Sequence, residues 1–446
     1  MGKFFGTDGI RGVANKELTC ALALKVGMAV AYTLGKGSKI LVGKDPRISS
    51  NMLEAALLAG ISSMGANAVS LGVVPTPAVA YLTLEEKADA GIMISASHNS
   101  FEFNGIKIFG NKGYKLPDEM EEKIEDLISR NIDDLLPEAE AIGKIEKCTN
   151  ATEKYAKYIK NAVKLPEKKE IKVLVDCSNG SSSFTAERIF GELGIKADFI
   201  FHSPDGININ ENCGSTHIEN LAEKVKEKSY DIAFAFDGDA DRCLAVDELG
   251  NVIDGDFILG ICADHMKKNG TLKGNALVGT IMSNMGLKKF CSENEISFEE
   301  TNVGDRCVLE RMTQKGYSLG GEQSGHIIFL ENSTTGDGQL TALKLIEILL
   351  SSGKKASELR KIVKKYPQKS SAVKINFSQK GMFAKNEEIK AYLEEVKKEI
   401  GQKGRIVVRE SGTEPKIRVM TEHESEEAAE EITKKLAETI SKMMEK

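Results

Sequence analysis

Ile232-Ala233-Phe234-Ala235-Phe236-Asp237-Gly238-Asp239-Ala240-Asp241-Arg242-Cys243-Leu244-Ala245-Val246 is the stretch that decides how this chain is built. An alternating apolar run enters, an acidic loop turns, and a second apolar run leaves, which reads as two strands meeting at a ligand-bearing corner. Three carboxylates within five residues repel one another, so folding around them calls for a cation. All-oxygen ligation suits a hard divalent ion such as Mg²⁺, which keeps phosphate or water among its ligands. An EF-hand is the obvious rival, because Asp237, Asp239, Asp241 and Glu248 fall at loop positions 1, 3, 5 and 12. The glycine needed at position 6 is Arg242 here, and strand-like flanks stand where an EF-hand has helices.

Outward from this corner, helical and strand patterns alternate over roughly the first 365 residues. Leu18 to Leu34 has helical spacing, Lys39-Ile40-Leu41-Val42-Gly43 reads as a short strand, and Asn51 to Ser63 as another helix. A strand over Ala88 to Ser95 runs into a polar loop; an acidic helix follows from Asp118 to Arg130, then a link poor in apolar residues at 135–150. A second cycle starts with strand Ile171 to Asp176 and helix 184–193, and a third near Asp256 with helix 257–268 and strand Ala276 to Gly279. Beyond about Gln368 the pattern becomes strand 371–376, helix 385–399, strands 405–409 and 416–421, and helix 425–443. The expected fold class is therefore α/β, with three mixed domains at 1–150, 151–252 and 253–367 and a C-terminal α+β domain at 368–446.

Composition narrows the function classes. The 446 residues exceed what one core supports, and 41% hydrophobic with 28% charged residues describes an ordinary globular chain. A net charge of −6 gives no general attraction for nucleic acid or acidic membranes, so an anionic substrate has to be captured by local positive groups. Eight cysteines stand singly with no CxxC pair, which argues against a zinc ribbon or a disulfide scaffold and for a reducing compartment. Ala55 to Leu84 carries no charge, but Pro75, Pro77 and several polar residues break it, so helix, strand and loop is expected there and not a membrane span. The first residues have no apolar signal core, and the expected location is cytoplasmic.

Three more loops carry chemistry. Ser95-Ala96-Ser97-His98-Asn99-Ser100, followed by Asn104-Gly105-Ile106-Lys107, is either a nucleophile beside its base or a hydroxylated turn. No Gly-x-Ser-x-Gly elbow surrounds Ser97, which weighs against acyl transfer, whereas a serine carrying a phosphoryl group needs a metal and positive charge. Gly320-Gly321-Glu322-Gln323-Ser324-Gly325-His326 offers the donors and acceptors that bind sugar hydroxyls, or is a tight turn. Arg409-Glu410-Ser411-Gly412-Thr413-Glu414-Pro415-Lys416-Ile417-Arg418 makes an anion cradle or a hairpin with surface arginines. Gly6 to Gly12, with Arg11, and Lys44-Asp45-Pro46-Arg47 are structural turns or a positive wall, and Val303-Gly304-Asp305-Arg306 adds a further glycine–charge corner.

In order and spacing these loops resemble those of the α-D-phosphohexomutases, from Phe5-Gly6-Thr7-Asp8-Gly9-Ile10-Arg11-Gly12 to Arg418-Val419-Met420. Gly321 to His326, Asn212 to His217 and Gly279 to Asn284 look like the phosphoglucosamine mutase branch. The resemblance implies a four-domain, heart-shaped phosphohexomutase architecture that interconverts glucosamine 6-phosphate and glucosamine 1-phosphate on the way to UDP-N-acetylglucosamine. It implies a phosphoserine at Ser97 and one Mg²⁺ held by Asp237, Asp239, Asp241 and a phosphoserine oxygen on Ser97. It assigns the sugar to Glu322 and Ser324, and the non-reacting phosphate to Arg409, Ser411, Gly412, Thr413 and Arg418. Arg11 and Arg242 would lie near the phosphoserine, and the general base would be Lys107 assisted by His326, with His98 the third candidate. Glucosamine 1,6-bisphosphate would be the intermediate, with it or glucose 1,6-bisphosphate as activator, and a fourth domain hinged near 366–370 would close over each orientation. The expected partner is a phosphosugar, and the expected assembly a monomer or homodimer.

Three readings compete: a phosphomannomutase/phosphoglucomutase using the same residues, a haloacid-dehalogenase-type phosphatase using Asp237, and a catalytically silent sugar-phosphate-binding regulator. The chain departs from the family at Ser100, where proline is usual, at Phe103, where an acidic residue is common, and at Cys307, where an aromatic one is. Ser178 and Ser181 to Ser183 replace alanines in a packing turn.

Overall fold

A computed structural model describes residues 4–6, 9–167, 170–376, 379, 381–411 and 415–444. Four sheets follow one another along the chain. The first has seven strands, in the order Phe5–Gly6, Gly9–Val13, Phe103–Gly110, Ala90–Ile94, Lys39–Lys44, Asn67–Val73, Ile145–Lys147. Ala90–Ile94, Lys39–Lys44, Asn67–Val73 and Ile145–Lys147 run parallel, and Phe103–Gly110 pairs antiparallel with both Ala90–Ile94 and Gly9–Val13. The second sheet orders Val252–Ile253, Cys243–Asp247, Ile232–Phe236, Lys172–Asp176 and Lys196–Ile200. The third has Ser297–Thr301, Ala276–Thr280, Leu319–Gly321 and Ile327–Phe329, and the fourth is an antiparallel trio, Gln368–Lys374, Lys416–His423 and Gly404–Glu410.

Every residue of Ile232–Phe236 is buried, so its Ala/large alternation fills both faces of a covered sheet and does not mark a wet side. The charge-free stretch resolves into the end of helix Ile48–Ser63, strand Asn67–Val73 and helix Thr76–Glu85. Among the described residues no helix is long and apolar enough to cross a membrane. Boundaries move where caps decide them. Helix Glu387–Ile400 starts two residues later than expected because Asn386 accepts the backbone N–H of Ile389 as its N-cap. Strand Gln368–Lys374 begins three residues early because pairing with Lys416–His423 extends to Gln368 opposite Glu422.

The core falls into unequal parts. One continuous apolar cluster runs from Leu41 and Val69 on the first sheet through Tyr155, Phe234 and Phe257 to Leu277 and Leu340, tying the first three units together. The fourth unit packs Val373, Ile389, Ile417, Leu436 and Ile440 into a core of its own. Its traffic with the third unit passes through one end of its sheet. There Arg405 pairs with the buried Glu422 at 2.8 Å and donates to the Ile281 and Ser283 carbonyls, and Glu422 accepts the backbone N–H of Met285.

Candidate active site

Ser97 lies just past strand Ala90–Ile94, in a turn that holds it at φ +54°. That conformation is uncommon for a side-chain-bearing residue and needs the surroundings to impose it. Its N–H donates to Ser95 Oγ at 2.9 Å, and Ser95 in turn donates to Asp45 Oδ2 at 2.7 Å. Its carbonyl accepts from Arg47 Nη2 and from Asn210 Nδ2, each at 2.9 Å. Arg47 also donates to the carbonyls of Asn99, Ser100 and Phe103, while its Nε pairs with Asp45 at 2.8 Å. The Lys44-to-Ser50 stretch is therefore not a positive wall at Arg47: that guanidinium is buried and committed to the backbone of the serine loop. The loop that carries Ser100 is held from outside by these donors.

The acidic loop meets the serine loop backbone to backbone. A Cβ at Gly238 would stand 2.7 Å from the Ser97 carbonyl oxygen, so only glycine permits the approach. Ser97 Oγ consequently reaches Asp237 Oδ2 and donates to it at 2.6 Å. One carboxylate oxygen from each of Asp237, Asp239 and Asp241 lies within 4.8 Å of the others, and all three side chains are buried. Lys107 Nζ donates to Asp239 Oδ2 at 2.8 Å and to Asp241 Oδ2 at 3.4 Å, and His326 Nδ1 stands 3.7 Å from Asp241 Oδ2. Asp239 Oδ1 and Asp241 Oδ1 are buried with no hydrogen-bond partner. Two carboxylate oxygens that accept no hydrogen bond, beside a third carboxylate and a serine hydroxyl, form a donor set that fits a hard divalent cation.

The electrostatics agree. Burial, then the charges of Asp241 and Asp239, push the Asp237 carboxyl well above the usual carboxylate range. Burial works the same way on Asp241, but Lys107, His326 and Arg242 outweigh it and hold Asp241 well below that range. His98 Nδ1 is 3.3 Å from Ser97 Oγ; burial, reinforced by Arg242 and Arg11, pushes its pKa down to about 4, so it is an uncharged neighbour at neutral pH. Arg242 Nε lies 4.0 Å from Asp237 Oδ2 and 3.9 Å from Asp241 Oδ1.

The loop Gly320 to His326 is a tight turn hung on the acidic hairpin. Cys243 N–H donates to the Gly325 carbonyl at 3.0 Å, and Glu322 N–H to the His326 carbonyl at 3.1 Å. Glu322 Oε1 accepts from Gly304 N–H at 3.0 Å, and Ser324 is the exposed tip. Beside it, the Val303-to-Arg306 corner bridges the first and third units: Asp305 pairs with Lys115 at 2.6 Å, and Arg306 with Asp118 at 2.7 Å. On the fourth sheet, Arg409 and Arg418 stand opposite each other on neighbouring strands. Burial and the Arg418 charge both lower the pKa of Arg409. Ser411 is buried beside them; Gly412 and Thr413, like Thr7 and Asp8 of the N-terminal loop, lie outside the described residues. A cavity of about 420 Å³ on this sheet face is lined by Ser370, Arg409, Lys416 and Arg418, with Met282 of the third unit across it.

Ser97, His98, Lys107, Asp237, Asp239, Asp241, Arg242 and His326 thus converge, with Arg11 close enough to act on His98. Sequence reasoning missed Asn210, which left no signal beyond a polar loop. It also missed Thr76, whose hydroxyl donates to Asp239 Oδ2 at 2.5 Å and whose only signal was its place between two prolines.

Four family models match along the chain in order: Phosphoglucomutase/phosphomannomutase alpha/beta/alpha domain I at residues 2–134, domain II at 153–250, domain III at 254–366, and the C-terminal domain at 347–439. A phosphoglucosamine mutase of Clostridium novyi is 50% identical over 444 residues, covering 99% of both chains, and one of Thermoanaerobacter pseudethanolicus is 50% identical over 449 residues, covering 100% of both. Among solved structures, a phosphoglucomutase/phosphomannomutase family protein of Burkholderia thailandensis superposes with a TM-score of 0.83 at 24% identity, covering 98% of this chain and 97% of that one. An Aspergillus fumigatus N-acetylphosphoglucosamine mutase in complex with GlcNAc-6P and magnesium gives 0.70 at 17% identity, with 99% and 96% covered. Similarity of that extent to whole phosphoglucosamine mutases, laid over four family domains in sequence order, means that the chain belongs to the phosphoglucosamine mutase family of the α-D-phosphohexomutase superfamily.

Proposed function

We propose that this protein converts glucosamine 6-phosphate to glucosamine 1-phosphate and back, through a phosphoserine at Ser97 and glucosamine 1,6-bisphosphate. The observation that carries the reading is the Ser97 hydroxyl seated on Asp237, beside two buried carboxylate oxygens that accept no hydrogen bond. A divalent cation on Asp237, Asp239 and Asp241, Mg²⁺ in this reading, would supply Lewis-acid charge neutralisation at the transferring phosphoryl group.

The residues supply the rest. The free sugar hydroxyl attacks phosphorus on phospho-Ser97, the P–Oγ bond breaks, and the hydroxyl's proton passes to a base. Phosphoryl transfer of this kind is mainly positioning and charge stabilisation, so Arg242 and Arg11 serve by their place beside the serine. For the base we favour Lys107 with His326 assisting, because both stand on Asp241, whereas His98 with a pKa near 4 holds a proton poorly. Glu322 and Ser324 take the sugar hydroxyls, and Arg409, Ser411, Gly412, Thr413 and Arg418 the phosphate that is not reacting. The bisphosphate then turns end for end and returns its other phosphate to Ser97. Glucosamine or glucose 1,6-bisphosphate would restore a serine that has lost its phosphate.

The cradle must accept two opposite orientations of one molecule. We assign that freedom to the fourth unit, which has its own core and joins the third beyond Tyr366. A cytoplasmic location is supported by the eight cysteines, which stand as unpaired thiols.

The test is peptide mapping of purified protein before and after phosphatase, alongside the Ser97→Ala variant. Phosphate on Ser97 whose removal abolishes mutase activity is expected. Full activity in Ser97→Ala, with release of inorganic phosphate, would overturn the scheme and point to Asp237 as nucleophile. A higher specificity constant for mannose or glucose 6-phosphate than for glucosamine 6-phosphate would move the substrate to neutral hexoses.

A further inference from the structure

Thr76 opens the first turn of helix Thr76–Glu85, between Pro75 and Pro77, and belongs to none of the four chemical loops. It is 1% exposed. Its hydroxyl donates to Asp239 Oδ2 at 2.5 Å, and its N–H donates to the Asp239 carbonyl at 2.9 Å. A residue of the first unit therefore grips both the side chain and the main chain of an acidic-loop residue 163 positions away. The flanking prolines restrict the backbone on either side of it, and the helix start contributes a partial positive charge toward the carboxylate.

The arrangement divides the two oxygens of Asp239. Oδ2 takes the Thr76 hydroxyl and the Lys107 ammonium, while Oδ1 is buried without a partner. Two donors on one oxygen stop the carboxylate from flipping, so that the same oxygen is always left over. Charge explains why the second donor is a hydroxyl. Lys107 and Arg242 already offset part of the charge of the three carboxylates, and the remainder is what a divalent ion would meet. A further cation at Thr76 would cancel part of that charge; a neutral donor orients Asp239 and leaves it intact.

We propose that Thr76 is a positioning residue for the divalent cation: it presents Asp239 Oδ1 and makes cation affinity depend on the docking of the first unit against the second. This rests on the reading of Asp237, Asp239 and Asp241 as cation ligands. Outer hydrogen bonds to metal-ligating carboxylates typically carry about 10–100-fold in metal affinity.

The experiment is Mn²⁺ binding to the full chain by electron paramagnetic resonance titration, with the Ser97 phosphorylation state fixed and checked by mass. Thr76→Val keeps the shape and removes the hydroxyl, and should bind Mn²⁺ about 10–100-fold more weakly. Thr76→Ser should bind like the parent, and Asp239→Ala should not bind. If Thr76→Val does not fold by circular dichroism, Thr76→Ala makes the same comparison. Mutase activity of the hydroxyl-less variant should climb back toward the parent value as Mg²⁺ is raised, which damage to the fold alone would not do. Parent-like Mn²⁺ affinity in the hydroxyl-less variant overturns the role of Thr76 while leaving the cation site standing. No Mn²⁺ binding by the parent, or undiminished binding by Asp239→Ala, overturns the cation site and this inference with it.

Discussion

In the proposed reading the serine–aspartate centre and the arginine cradle both handle phosphate, and they are built in opposite ways. At the centre, Ser97 and the three aspartates are buried, and donors from Arg47, Asn210, Lys107 and Thr76 come from both the first and the second unit into a shared core. In the cradle, Arg418 is exposed and Arg409 half-buried on a three-stranded sheet with a core of its own. Register across that sheet places Gln368, Glu422 and Arg405 in one row and Ala372, Arg418 and Arg409 in another, four residues along. At about 3.3 Å per residue the two rows are about 13 Å apart. The first row is fastened to the third unit, and the second carries the cations. In the proposed mechanism the bond-making end gains from being fixed, because misplacement costs rate directly, while the far end would release and grip again as the bisphosphate turns.

The contrast can be broken at each end. Arg47→Ala removes the donors that shape the serine loop and strands a buried Asp45, which should cost about 3–5 kcal/mol by urea denaturation and take mutase activity with it. Arg418→Ala should leave stability within about 0.5 kcal/mol of the parent. It should instead weaken phosphate capture by about 1.5–3 kcal/mol, a rise of about tenfold to hundredfold in KM. If Arg418→Ala melts like Arg47→Ala, the cradle is not the independent piece described above.

The joint that fastens the fourth unit to the third has its own signature. Asp256 Oδ2 accepts from Asn284 N–H at 3.0 Å, and Asn284 reaches both the Tyr366 carbonyl and Glu422. Burial, then Asp254, raise the Asp256 pKa from 3.8 to about 7, with Glu422 adding to the shift and Lys365 opposing it. The folded state thus binds a proton that the unfolded state has lost, so this group's contribution to stability falls as pH rises from about 4 to about 7. Asp256→Asn should be more stable than the parent at pH 8, by on the order of 1–3 kcal/mol, and lose that advantage near pH 4, read from melting curves. An advantage independent of pH would remove the titration from the account. The smallest effect belongs to the rigid half. Ser181 Oγ is buried without a hydrogen-bond partner, so Ser181→Ala should be neutral or stabilising by up to about 1 kcal/mol. A loss of stability there would mean that the hydroxyl has a role the contacts do not reveal.

The loops were legible because their chemistry is local: three aspartates at alternate positions, a serine beside a histidine, two arginines around a glycine turn. Arg47 stayed open between a structural turn and a positive wall for a physical reason. A guanidinium looks the same in a sequence whether it faces an anion or fills five hydrogen bonds among backbone carbonyls and a carboxylate, and only its burial separates the two. Likewise Asp305 read as a bare corner residue until the structure set it between Lys115 and His326.

By itself the sequence determined the alternating α/β order, the four chemical loops and the residue types able to hold a cation and two phosphates, since periodicity and short-range spacing are properties of the chain. Tertiary structure alone decided that Gly238 lets Ser97 touch Asp237, that Thr76 and Asn210 reach across from other units, and that the cradle hangs from one end of a separately packed sheet. Those are contacts between residues far apart in the chain, set by how whole faces pack, and no local pattern of side chains encodes them.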